Sequence, residues 1–132
     1  MGYEITWYQP DRVIYFSVGQ TLTVGELIAA IEFIQDGVRN APGVVHLVID
    51  ARETRSIPNN VLEIKKHVTY LNRDKMGWVL LVGAHPLVNA FVKVLTQLLG
   101  SKYRNFKGLK LALAFLIEQD ETLSDLAERV VD

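Results

Sequence analysis

The sequence predicts an α/β domain. Its expected architecture is a single-domain, mixed but mostly parallel five-stranded sheet with helices, in the order ββαβαβαβα. Three observations predict it. Short apolar runs of strand length alternate with longer stretches whose apolar residues recur at helical spacing. Only Gln9-Pro10-Asp11-Arg12 separates the first two strands, so they form a hairpin. Helix-length segments separate the later strands, which makes those strands parallel and joins them by right-handed crossovers. At 132 residues the chain suits one domain with its own core, and no linker divides 1–132.

Ile5-Thr6-Trp7-Tyr8 and Val13-Ile14-Tyr15-Phe16-Ser17-Val18 are rich in β-branched and aromatic residues and read as the hairpin strands. Thr23-Val24-Gly25-Glu26 is a capping box. The helix it opens puts Val24, Leu27, Ile28, Ile31, Ile34 and Val38 on one face and stops at Asn40-Ala41-Pro42-Gly43. The central strand, Val44 to Asp50, is a nearly unbroken apolar run that ends in a carboxylate. A polar loop follows it, and a second helix opens at Ser56-Ile57-Pro58 with Val61, Ile64, Val68 and Leu71 as its stripe. Trp78 to Gly83 is the next buried strand. Ala84-His85-Pro86 opens a third helix, which Gly100 ends. The spacing then predicts a basic, aromatic loop over 101–108 and a last strand over 109–117. A closing helix is expected through Leu123, Leu126, Ala127, Val130 and Val131.

Composition excludes several classes. The formal net charge of −1 gives no global field toward nucleic acid or an anionic membrane. The chain has no cysteine, so disulfides, thiolate metal sites and a thiol nucleophile are out, and a cytoplasmic setting fits. Met1-Gly2-Tyr3-Glu4 has no signal-peptide pattern, and no apolar run approaches the roughly 18–20 residues of a membrane span. No glycine-rich phosphate loop is present, so no nucleotide cofactor is expected. His46, His67 and His85 show no metal-ligand spacing. His46 reads as a packed or hydrogen-bonded histidine.

Ligands of open α/β sheets bind outside the carboxyl ends of the strands. Those ends carry Asp50, then Gly83-Ala84-His85, then Glu118, with Ser56 and Asn59 on the first loop. Ser56, His85 and Asp50 together suggest a triad, but the nucleophile elbow is missing. The plainer reading has Asp50 binding loop amides, Ser56 capping the second helix and His85 capping the third. Lys102, Arg104, Lys107 and Lys110, interleaved with Tyr103 and Phe106, form a solvated connector or a contact for a partner or an anion. On a wheel of about 100° per residue, the apolar side chains of helix 86–99 fill an arc of about 160°. Three accounts fit that width: a wedge between sheet and neighbouring helix, a homodimer face, or the wall of a pocket for an apolar ligand.

The element order and the strand Leu47-Val48-Ile49-Asp50 with its following loop resemble STAS-like domains of the anti-sigma-factor-antagonist type. In that family the loop reads Asp-Ser-Ser/Thr-Gly, opens a helix, and is phosphorylated on a hydroxyl by a partner kinase. The matching positions here, Pro58-Asn59-Asn60-Val61, carry Asn59 or Asn60 instead of the phosphoacceptor, and lack the glycine. The resemblance thus implies a non-enzymatic regulatory domain that docks a protein partner without the usual phosphoacceptor serine. Its contact residues would be Asp50, Arg55, Ser56, Ile57, Pro58, Asn59 and Asn60. A weaker resemblance to CRAL-TRIO lipid-binding domains implies a carrier or sensor of a small apolar or lipidic ligand between helix 86–99 and the sheet. Its pocket would use His85, Phe91 and Leu95. Neither reading needs a cofactor, a metal or nucleic acid.

Overall fold

The computed structural model describes residues 2–57, 63, 64, 66, 74–83, 85–99 and 101–123. It shows β1 (Tyr3–Gln9), β2 (Val13–Val18), α1 (Val24–Asn40), β3 (Val45–Asp50), β4 (Met76–Val82), α2 (Pro86–Leu99), β5 (Lys102–Phe106) and α3 (Leu109–Gln119). The five strands lie in sequence order, β1-β2-β3-β4-β5. β1 and β2 are antiparallel, and every later pair is parallel. Asp11 supplies the left-handed residue of the hairpin turn, at φ 64°.

Consecutive parallel strands joined by crossovers of one hand place every connecting helix on one face. The packing shows this. Leu27, Ile31, Ile34 and Val38 of α1, Ile64, and Phe91 and Leu95 of α2 meet Ile14, Phe16, Leu47 and Val79 in one cluster. The other face is left to α3, whose Leu109, Ala112, Leu113 and Leu116 pack on Val13, Val48, Leu80 and Val82.

The expected capping box is present: Glu26 N–H donates to Thr23 Oγ1 at 3.1 Å, and Thr23 N–H donates to Glu26 Oε1 at 2.9 Å. Lys75 Nζ ties the C-terminal end of α1 by donating to the carbonyls of Arg39 and Ala41. Glu63 and Ile64 are helical between β3 and β4, and Ile64 is fully buried. The rest of the expected second helix, with Val61, His67, Val68 and Leu71, lies outside the described residues, as does the closing segment beyond Leu123.

Two elements differ from expectation. The run 109–117 is a helix, and its burial recurs at i, i+3, i+4 and i+7. Leucine, alanine and lysine are strong helix formers, and no β-branched residue appears there before Ile117. The fifth strand is the segment expected to be a loop. It lies at the sheet edge, so it carries exposed Lys102 and Arg104 where an interior parallel strand would be apolar. Glu118 therefore sits exposed on α3 and not at a strand end.

His46 repairs an irregularity. The β3–β4 register slips between Val45 and Leu47, where Gly77 and Trp78 stand opposite a single residue. His46 Nδ1 accepts the Trp78 N–H at 3.0 Å, and a Cβ on Gly77 would lie 2.3 Å from that nitrogen. Burial, first of all, brings the His46 imidazole down to about 4, with the nearby cations Arg12 and Lys102 adding to it and Asp120 opposing. The unfolded chain therefore binds the extra proton between pH 6.5 and 4, and stability falls as pH drops through that window. The expected loss is about 2 kcal/mol between pH 7 and pH 5. His46→Asn keeps an acceptor near the Nδ1 position and should flatten the slope, as read by urea unfolding at both pH values.

Candidate functional site

The carboxyl ends of β2, β3 and β4 form a polar rim. At its centre Asp50 is only 6 % exposed. Tyr15 Oη donates to its Oδ2 at 2.5 Å. Arg52 reaches back from the loop with Nε on Oδ1 at 3.0 Å and Nη2 on Oδ2 at 2.7 Å, and its backbone N–H adds a longer bond at 3.3 Å. Such a forked guanidinium–carboxylate pair fixes orientation as well as charge. Burial pushes the Asp50 carboxyl up, but the Arg52 side chain, the Tyr15 hydroxyl and the Arg52 amide outweigh it and leave the group below its ordinary value. Burial, then the hydrogen bond to Asp50, raises the Tyr15 phenol to about 12.

The loop after Asp50 is pinned along its length. Ala51 N–H bonds Val82 O, Thr54 N–H bonds Ala51 O, and Arg55 and Ser56 N–H both reach Gln20 O. Leu22 N–H returns to Ser56 O, and Thr54 Oγ1 donates to Val18 O at 3.3 Å. Thr21 and Ser56 form a parallel bridge that extends β2 and β3 past their ends. Ala51 and Thr54 point inward and Ile57 is half-buried, while Arg52, Glu53, Arg55 and Ser56 face out. Gly83, at φ 63°, lets the β4 end turn beneath Arg52, and a Cβ there would come within 2.4 Å of Arg52 Cγ.

Ser56, His85 and Asp50 are not brought together as a reactive trio. Asp50 is committed to Tyr15 and Arg52. His85 Nδ1 accepts the Leu87 N–H at 3.2 Å, as a cap for α2. Ser56 is held through its backbone, and no hydrogen bond links these three among the described residues. His85 lies on the rim with Gln20, Arg52, Glu53 and Arg55, not in the apolar pocket expected of it. Pro58, Asn59 and Asn60 lie outside the described residues. Among the described residues no cluster of three His, Asp or Glu side chains could hold a metal.

Below the loop, between the sheet, α1 and α2, is an apolar cavity of about 90 Å³. Phe91 and Leu95 line it, with Phe16, Ile31 and Leu47 opposite and Ala51, Thr54 and Ile57 at the loop end. Gln35, Thr54 and Thr96 are its polar members, and sequence periodicity did not single them out. Their signal was faint: three polar residues at otherwise apolar, inward positions. Trp78 packs against α3, edge-on to Phe115 at 4.8 Å. Helix α2 buries Val88, Val92 and Thr96 but leaves Leu87 and Val94 exposed, so part of its wide apolar arc faces out.

The strand order, the opening hairpin and the loop after β3 can be compared with solved structures. One is an uncharacterised protein of the DUF3478 family with a SpoIIAA-like fold from Shewanella loihica. It matches at TM-score 0.61 and 15% identity, over 86% of this chain and 91% of that one. The chain has a SpoIIAA-like, STAS-type fold. The anti-sigma factor antagonist SpoIIAA, in its unphosphorylated form, matches at TM-score 0.55 and 7% identity over 98% of this chain and 99% of that one. At these identities the likeness is one of fold. No protein-family model and no curated protein matches the sequence.

Within this STAS-type frame the Asp50 clamp is open to test. Arg52→Ala should remove the main counterweight to burial, so the Asp50 carboxyl should titrate higher than in the wild type in a carboxyl-detected NMR titration. The Arg52 side chain is 42% exposed, so solvent screening should hold the accompanying loss of stability to about 1 kcal/mol. Gly83→Ala should shift Asp50 in the same direction by displacing Arg52.

Proposed function

We propose that the chain is a non-enzymatic regulatory domain that recognises a protein partner through the 51–57 loop and the start of the helix that follows. The observation that carries this is the state of the rim carboxylate. Both oxygens of Asp50 are bound within the chain, by Tyr15 and Arg52, so the group stiffens a surface and is not poised to react. A loop already ordered loses little conformational freedom on binding. Its outer side offers Arg52, Glu53 and Arg55, charges that select a partner by complementarity. SpoIIAA is named as an anti-sigma factor antagonist, so a protein of this fold acts on a protein target. In this reading Asn59 or Asn60 stands where the related phosphoacceptor would be, and recognition is not switched by phosphate there. A cytoplasmic setting goes with the reading, and no described helix is long and apolar enough to cross a membrane.

A second reading rests on the cavity. The cavity of about 90 Å³ between α1, α2 and the sheet is lined almost wholly by apolar side chains. A small apolar or lipidic ligand that reached it would bury apolar surface there, and the chain would then be a carrier or sensor.

Two measurements separate these readings. Affinity capture from the source cells with the wild type and with Arg55→Glu should show a partner lost from the variant at unchanged melting temperature. Equal retention by both would remove the loop as the contact. Native mass spectrometry of protein taken directly from cells should show added mass if a ligand is carried, and a bare chain mass would remove the carrier.

A further inference from the structure

β5 ends the sheet: it pairs with β4 on one side, and no described strand pairs with its other side. Its outer backbone groups therefore form a template for one more strand. The strand is also charged in a pattern. Lys102 and Arg104 stand two residues apart, on the face that α3 covers. Lys102 Nζ lies 5.4 Å from the Trp78 ring centroid, and the Arg104 guanidinium lies 4.9 Å from Phe115 and 5.9 Å from Phe106. Ring faces thus hold both cations in place. Neither has an ion pair among the described residues, nor has Lys107 just beyond the strand. From Ser101 to Lys110 the chain has no carboxylate at all.

A second β5 laid beside this one would set cation against cation, which opposes pairing between like edges. The other edge of the sheet, β1, offers one carboxylate at its exposed alternate positions, Glu4, with Thr6 next in line. An extended segment with carboxylates at alternate positions would satisfy both features at once. Its backbone would complete the ladder, and its side chains, about 7 Å apart on one face, would meet Lys102 and Arg104.

We propose that the outer edge of β5 docks an acidic, extended segment of a protein partner, with carboxylates at every second residue. This surface is separate from the 51–57 loop, and the proposal stands without that reading.

The test uses the full chain and a short fluorescent peptide that alternates glutamate with valine. Two control peptides have proline at the central valines, or lysine in place of glutamate. Saturable anisotropy with the glutamate peptide alone is expected, together with slowed amide exchange over 102–106. Lys102→Glu should weaken binding by about tenfold or more. Arg104→Glu removes a cation stacked on Phe115, so its effect counts only if its thermal melt matches the wild type. Lys102→Glu carries the test otherwise. The absence of saturable binding would overturn the proposal. So would equal binding of the proline peptide, which would mean charge attraction without strand pairing. Sedimentation showing a dimer that Lys102→Glu dissolves would overturn it too, because a second copy would then hold the edge.

Discussion

The forked bond between Arg52 and Asp50 sets the character of the rim. A carboxylate at the end of a buried strand is costly unless it is paired, and here its partner comes from the same loop two residues on. The pair closes the turn, so the loop's remaining amides lie within reach of Gln20 and Val82. Tyr15, from the neighbouring strand, donates to the oxygen that Arg52 Nη2 also meets, and so ties β2 to β3 diagonally between the Tyr15–Val48 and Ser17–Asp50 pairs. Gly83 completes the arrangement from β4, because only a residue without a Cβ leaves room for the Arg52 stem. Three strands thus meet at one buried charge, and the surface above them is held in one arrangement.

The sheet separates two environments. On the face of α1 and α2 the alternate residues of β2, β3 and β4 are aliphatic or Phe16, and the void under the loop lies within that layer. On the opposite face α3 packs over β4 and β5, where the aromatic side chains Trp78, Phe106 and Phe115 carry Lys102 and Arg104 on their rings. The 51–57 loop borders both the void and the solvent, with Ala51, Thr54 and Ile57 on the inner side and Arg52, Glu53 and Arg55 on the outer. The two functional readings therefore concern opposite sides of one short segment. His46 belongs to the α3 side, where it supplies an acceptor for the N–H that the β4 irregularity removes from the ladder.

The element order was legible, but the position of its last two members was not. Hydrophobic runs locate strands that are buried on both faces, as β3 and β4 are. The same rule fails at an edge, where β5 needs neither an apolar run nor alternation and can carry lysine and arginine. It fails in the opposite sense at 109–117, where a helix packed on a sheet has enough leucine and alanine to look like a buried strand. Helix propensity pointed the right way there, since the run lacks β-branched residues until its end.

By itself the sequence determined the hairpin, the capped first helix, the apolar central strand with its terminal carboxylate, and the absence of thiol chemistry. Each of these depends on neighbouring residues or on composition, so the chain order contains it. Tertiary structure decided what the carboxylate does. Its partners are Tyr15 on another strand and Arg52, whose stem fits only because Gly83 approaches from a third. It also decided that Lys102 and Arg104 lie on an open edge over aromatic rings, because an edge exists only once the other strands have found their order.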